Sequence, residues 1–189
     1  MKAAAKAAQA QVRVRESTDA DMPRILQIYT HHVRTGLGSF EEVPPDLSEM
    51  QRRRAEILAR GLPYLVAELD EPGIPDGIGG YAYAGAFRTR SAYRYSVEDS
   101  IYTAIEAQRR GVGRALLDEL VRRCTALGYR QMVAVIGDSA NRGSIGVHEA
   151  AGFKQVALLP AIGLKFGRWV DSVIMQRPLG EGQTTLPRE

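Results

Sequence analysis

The sequence predicts an α/β domain built as a mixed sheet with helices on its faces. Three observations predict it. Segments of strand period and of helix period alternate along the chain. The most regular helical segment, with Val112, Leu116, Leu120, Val121, Cys124 and Leu127 on one face, is followed by a short apolar run over residues 132–136, the length of a buried central strand. Finally, 189 residues with 44% hydrophobic and 25% charged side chains suit one ordinary globular core. A chain of that length buries roughly 70% of its unfolded surface and needs no metal or disulfide staple.

The elements follow in order. Val12-Arg13-Val14-Arg15 alternates and reads as a first strand. Thr18-Asp19-Ala20-Asp21 opens a helix that tolerates Pro23 in its first turn, carries Ile25, Ile28, Tyr29, His32 and Val33 at helical spacing, and ends at Gly36 and Gly38. After Pro44-Pro45-Asp46, residues 47–59 form a second, charged helix ending at Gly61. Residues 64–69 read as a strand, 71–77 as a turn with two prolines and two glycines, and 78–87 as a strand whose glycines imply a bulge or a close backbone approach. Residues 95–104 are another strand. The long helix ends at Gly128, a C-terminal glycine cap. A short helix over 141–151 ends at Gly152, and residues 153–159 and 169–176 read as closing strands joined by a glycine-rich connection. Residues 1–11 are low-complexity and alanine-rich and read as a disordered tail; 180–189 read as a flexible C-terminal tail; the domain is 12–179.

Composition excludes several classes. Lys and Arg number 25 against 22 Asp and Glu, a net charge of +3 without a long basic run. Nucleic-acid binding is not expected from so dispersed a charge. No apolar stretch approaches the ~20 residues that span a bilayer, so no membrane association is expected. The N-terminus lacks an apolar signal core, and Cys124 is alone, so neither an internal disulfide nor a cysteine zinc site is expected. His31 and His32 are neighbours without metal-ligand spacing, and no metal is expected. A cytoplasmic protein is the resulting expectation.

Gln108-Arg109-Arg110-Gly111-Val112-Gly113 lies between a strand and the long amphipathic helix. The first amides of a helix have no intrahelical acceptor, the helix dipole favours negative charge, and glycines let backbone close on a phosphate. The loop is therefore either an anion site or an ordinary tight turn with surface arginines. It is no P-loop, because G-x-x-x-x-G-K-[ST] is absent, and no dinucleotide fingerprint, because position 116 is leucine.

With Arg114-Ala115-Leu116-Leu117 following it, this loop resembles the acyl-CoA motif of the GCN5-related N-acetyltransferases. Ser96-Val97-Glu98-Asp99-Ser100-Ile101-Tyr102, Val133-Ala134-Val135-Ile136-Gly137, His148-Glu149-Ala150-Ala151-Gly152-Phe153, Lys165-Phe166-Gly167-Arg168-Trp169 and Met175-Gln176-Arg177 are similar to the phosphinothricin and methionine-sulfone N-acetyltransferase branch of that family. The resemblance covers nearly the whole of residues 12–179. It implies a mostly antiparallel central sheet of about seven strands, acetyl-CoA as co-substrate and a homodimer. It implies that Gln108, Arg109, Arg110, Gly111, Val112 and Gly113 hold the pyrophosphate and that Ser100, Ile101 and Tyr102 hold the pantetheine arm. Asn141 matches an asparagine that contacts this arm in relatives; from the residues alone it is equally a plain N-cap, and both roles are compatible.

An amine attacks a thioester only as its free base, so a group must accept its proton, and the developing oxyanion needs a backbone N–H of the kind a bulged strand offers. Glu98, just before the pantetheine positions, is the candidate catalytic base; on its own it also reads as a solvated strand carboxylate or a partner of Arg88 or Arg94. Asp99 faces the other way on a strand and cannot readily pair with it. His148 and Tyr102 are weaker candidates for an acid, and Cys124 reads as packing. The resemblance implies an acceptor that is a small amino-acid analogue of the phosphinothricin, methionine sulfoximine or methionine sulfone type. Its pocket would draw on Phe87, Arg88, Thr89, Arg90 and Tyr93, on Phe40 and Glu41, and on the backbone at Val97 and Asp99, with arginine forks suited to the acceptor's anionic groups. The alternatives are acetylation of a protein N-terminus, a lysine or a polyamine, and a non-catalytic module that binds acetyl-CoA.

Overall fold

The computed structural model describes residues 11–187, so the alanine-rich stretch 1–10 lies outside the described residues. The strands are β1 (Arg13–Glu16), β2 (Tyr64–Glu68), β3 (Ile78–Ala86), β4 (Ser96–Thr103), β5 (Gln131–Gly137), β6 (Lys154–Lys165) and β7 (Arg168–Pro178). The helices are α1 (Met22–Thr35), α2 (Leu47–Ala59), α3 (Val112–Ala126) and α4 (Arg142–Ala150). One sheet takes the strands in the order β1-β2-β3-β4-β5-β7-β6. All its pairings are antiparallel except β4 with β5. A parallel pair needs a crossover, and α3 supplies it.

Local rules place the helices. Pro23 sits in the first turn of α1, where its missing N–H costs nothing. Asp46 caps α2 by accepting the Glu49 N–H at 2.8 Å. The apolar face of α3 buries Val112, Leu116, Leu117, Leu120, Val121 and Cys124 against β2, β3 and β4. The opposite face of the sheet carries a tyrosine layer. Tyr83 stands across from Tyr64 on β2 and from Ser100 on β4, and Tyr81 stands across from Tyr102; α1 packs on this face through Tyr29, edge-on to Tyr102 at 5.0 Å.

The glycines of β3 do what the sequence implied. The β2–β3 register slips so that Gly79 has no partner between the pairs Ala67↔Gly80 and Glu68↔Ile78. A Cβ on Gly80 would lie 2.8 Å from the Tyr102 carbonyl oxygen and 2.8 Å from Val112 Cγ1, so α3 seats on bare backbone there.

The C-terminal part differs from the sequence reading. In place of a glycine-rich connection, β6 and β7 form one long hairpin whose loop is only Phe166-Gly167, both at positive φ (53° and 71°) between Lys165↔Arg168. Pro160 and Gly163, which fall within that expected connection, instead lie at a register irregularity between Leu159 and Gly163 on the edge strand, where proline is tolerated. Residues 180–187 form turns that fold back, with Arg130 donating to Thr185 and paired with Glu181.

Candidate active site

β4 and β5 pair only from Ser96↔Gln131 to Asp99↔Ala134. Beyond that point β4 stays on β3 as far as Gly80↔Thr103, and β5 stays on β7 as far as Gly137↔Ser172. Each strand keeps one neighbour, and the sheet opens between them. A cavity of about 760 Å³ occupies the opening, within the usual range for small-molecule sites.

The free strand edge has a definite chemistry. The Ser96 carbonyl accepts from Phe87, and the Ala104 N–H donates to Gly79, both toward β3. Alternation turns the backbone N–H and C=O of Asp99, Ile101 and Thr103 away from β3; beyond Asp99, the last residue paired with β5, those of Ile101 and Thr103 face the opening. His32 Nε2 donates to the Thr103 carbonyl at 2.9 Å; Ile101 keeps its groups for the cavity. The unpaired backbone groups of β4 thus come from strand parting, not from a bulge, since its register with β3 is continuous.

At the far end lies the glycine loop. Gly111 is the N-cap of α3 at φ 84°, Arg109 is also left-handed at 61°, and no side chain caps the helix. The first intrahelical bond runs from Ala115 N–H to the Gly111 carbonyl at 3.0 Å. The amides of Val112, Gly113 and Arg114 therefore have no helical acceptor and can receive an anion. Most basic side chains nearby are already engaged: Arg110 pairs with Glu71, and Arg114 with Asp118 and the Ala150 carbonyl. The binding power of this end resides in the backbone.

Glu98 lines the same cavity, on the face of β4 that carries Ser100 and Tyr102. Burial pushes its carboxyl upward, the nearby Asp99 pushes it further, and Arg88 pulls it partly back. It is thus a half-buried, partly desolvated carboxyl. Asp99 points through the other face and is buried. His148 on α4 meets it: Nε2 lies 3.0 Å from Asp99 Oδ2, while Nδ1 lies 2.7 Å from the Ser144 carbonyl oxygen. A carbonyl only accepts, so Nδ1 carries a proton. Burial alone would lower the imidazole, but the hydrogen bond and charge of Asp99 outweigh it and the net shift is upward. With both nitrogens held by protein acceptors, His148 is tied into the wall. Asp99 Oδ1 is buried there without a partner. Burial holds the phenol of Tyr102 well above its ordinary value, so it stays protonated. Cys124 is buried and its thiol is pushed up to about 12, which fits packing and not reactivity.

Of the residues singled out by sequence, Phe40, Glu98, Asp99, Ser100, Ile101, Tyr102, Gln108, Arg109, Gly111, Val112, Gly113 and Asn141 share the cavity wall. The Asn141 side chain also caps α4 by accepting from Ser144 N–H at 3.2 Å. Arg110, Glu41, Phe87, Arg88, Thr89, Arg90, Tyr93 and Val97 do not line it. Val97 is fully buried in the core, and Glu41 is held by Arg53 at 2.6 Å. Phe87 and Tyr93 pack edge-on, 5.7 Å apart, in the exposed β3–β4 loop, where Arg88 lies over the Phe87 ring. The sequence reading missed Tyr83, Val135, Ser144 and Ser172 as wall residues, whereas Ser39, in the segment Ser39-Phe40-Glu41-Glu42 read as a further wall of the pocket, does line it. Tyr83 was findable only from its register opposite Ser100. Among the described residues no group of His, Cys, Asp or Glu is arranged to hold a metal ion, and no helix is long and apolar enough to cross a membrane.

Comparison with known proteins agrees with this geometry. Residues 14–174 match the family described as acetyltransferase (GNAT) domain. The chain is 55% identical over 174 residues to a phosphinothricin N-acetyltransferase of Alcaligenes faecalis, covering 92% of this chain and 86% of the relative. It is 37% identical to an L-methionine sulfoximine/L-methionine sulfone acetyltransferase of Pseudomonas paraeruginosa, covering 86% and 92%. A GNAT superfamily phosphinothricin acetyltransferase from Sinorhizobium meliloti, solved in complex with acetyl-CoA, superposes with a TM-score of 0.88 at 50% identity over 94% of both chains. A sheet parted between β4 and β5, an uncapped helix at one end of the opening and a family match over most of the chain lead to one assignment: the chain belongs to the GNAT acetyltransferase family.

Proposed function

We propose that this protein transfers the acetyl group of acetyl-CoA to the amino group of a small amino-acid analogue of the phosphinothricin, methionine sulfoximine or methionine sulfone type, with Glu98 as general base. The observation that carries the reading is that a half-buried carboxyl, a free strand edge and uncapped helix amides line one cavity. The names of the relatives support the acceptor class.

Acetyl-CoA supplies the activated thioester when bound. The amides of Val112, Gly113 and Arg114 suit its diphosphate, with Gln108 and Arg109 beside them, and the backbone of Ile101 suits its extended arm. The Ile101 N–H, turned into the opening, is the donor available to a developing oxyanion. Glu98 accepts the proton of the acceptor ammonium, and its raised affinity for protons makes it a better base than an exposed glutamate. Arg88 acts on Glu98 through space and, from the β3–β4 loop outside the cavity wall, attracts the acceptor's carboxylate, with Arg90 and Thr89 in the same loop. Phe40 closes the wall on the acceptor side.

Coenzyme A thiol release, measured against phosphinothricin, methionine sulfone, free amino acids, polyamines and peptides, tests this. Turnover concentrated on the first two is expected. Turnover only on peptides or polyamines would remove the acceptor assignment, and tight acetyl-CoA binding without any turnover would make the chain a sensor.

The working form is a homodimer through the β6–β7 hairpin. Val156, Leu158, Ile162, Leu164, Phe166 and Trp169 are all exposed there, Trp169 by 67%, on the edge of the sheet. Apolar patches of this extent are uncommon on monomers. Sedimentation of the wild type as a dimer, and of Trp169→Glu as a monomer, is the expected result; a wild-type monomer at micromolar concentration would end the dimer assignment. Acetyl-CoA supply and the lone, buried, unreactive Cys124 suit the cytoplasm.

A further inference from the structure

Lys165, the last residue of β6, is 1% exposed. A lysine is almost never so deeply buried unless its ammonium is satisfied. Its Nζ donates to the Ser39 carbonyl oxygen at 2.6 Å, and the Phe166 ring lies 5.0 Å away as a cation–π partner. No carboxylate pairs with it among the described residues. Phe166 reaches that place as the first residue of the two-residue hairpin loop, at a φ of 53°. Bulky side chains avoid that backbone region, which asparagine or glycine ordinarily fills in such loops. The strained phenylalanine is used where it covers the ammonium.

The object that Lys165 holds is the segment after α1. Ser39 also bonds through its hydroxyl to the Tyr29 hydroxyl at 3.1 Å and accepts the Glu41 N–H at 3.2 Å. The next residue, Phe40, lays its ring directly on Gly163 of β6, where any Cβ would run into it. The Leu37 carbonyl lies equally close over Gly137 at the end of β5. Segment 37–41 is therefore fastened at three points, two bare glycines and one buried ammonium, and Ser39 and Phe40 line the cavity with Glu98.

We propose that Lys165 is a positioning residue for acceptor selection: it clamps Ser39 and Phe40 as a fixed part of the wall of the cavity that Glu98 also lines, and this fixed wall limits the length of acceptor side chain that fits. Lys165 does not itself line the cavity, so it acts through the segment it holds. Its place on the far hairpin explains why a residue more than 120 positions from Phe40 sets the acceptor pocket, while the acetyl-CoA end, built from β4 and α3, does not depend on it.

The inference rests on the acetyltransferase reading for the identity of the acceptor, and the experiment separates the two. Lys165→Met keeps the stem and removes the donor, and Gly163→Ala displaces Phe40 without touching Lys165. In both, amide hydrogen exchange of residues 37–42 is expected to accelerate by about tenfold or more, with β4 and α3 unchanged; this readout needs no turnover. In both, KM for a short acceptor is expected to rise by about tenfold with KM for acetyl-CoA within about twofold, and longer acceptors to gain relative to short ones. Unchanged exchange in 37–42, or an equal rise of both KM values, would overturn the clamp. A wild type that acetylates none of the acceptors while the exchange result holds would overturn the function and leave the clamp standing.

Discussion

Glu98→Gln is expected to lower kcat at pH 7 by about 100-fold or more, because a positioned general base contributes typically 10²–10⁴-fold. The substitution keeps the shape and removes proton affinity, so KM for acetyl-CoA should be unchanged. The pH dependence distinguishes loss of a base from loss of structure. Burial first, then Asp99, raise the Glu98 carboxyl above its ordinary value, with Arg88 opposing. Below that raised value the carboxyl is protonated and cannot accept a proton. Wild-type kcat/KM should therefore rise with pH through an acid limb displaced upward from an ordinary glutamate, then level off. In the variant that limb disappears, and the remaining rate should keep climbing as the acceptor amine loses its own proton to water. The deficit shrinks as pH increases. Steady-state rates from pH 5 to 10 check this; equal rates for both proteins at pH 7 would assign the proton to water or another group.

Gly113→Val is expected to weaken acetyl-CoA binding by about 10- to 100-fold, the range of losing one hydrogen bond to a charged group at 1.5–3 kcal/mol. The structure favours position 113 over 111 for this test. Gly111 adopts φ 84°, so a valine there strains the backbone whatever binds. At Gly113 a Cβ would meet only Thr103 Oγ1 at 3.5 Å, an ordinary contact. The folded chain should accept the valine, and the melting temperature should move little, while the side chain stands over the uncapped amides. Calorimetric titration with acetyl-CoA reads the effect directly. An unchanged Kd would move the diphosphate away from this loop.

Much of this arrangement is written in local sequence. The α3 face from Val112 to Cys124, the break at Pro44-Pro45-Asp46 before α2 and the cap at Asn141 follow from rules that operate within a turn or two of helix. The bulge at Gly79 and the loop at Gly111 follow from the freedom of glycine. The hairpin of β6 and β7 was misread for the same reason. Local rules treat Pro160 and Gly163 as strand breakers, whereas the edge position and the Phe40 ring decide their roles.

The sequence by itself determined most of the elements and the position of the uncapped glycine turn ahead of α3, because period, capping and glycine are encoded within a few neighbouring residues. Only the tertiary structure decided where β4 and β5 part. It alone brought His148 to Asp99, drew Arg110 to Glu71, sent Val97 into the core and set Lys165 beneath the Phe40 segment. Each of these joins residues distant in the chain. Register and burial, which belong to the packed sheet as a whole, choose among partners that no local pattern distinguishes.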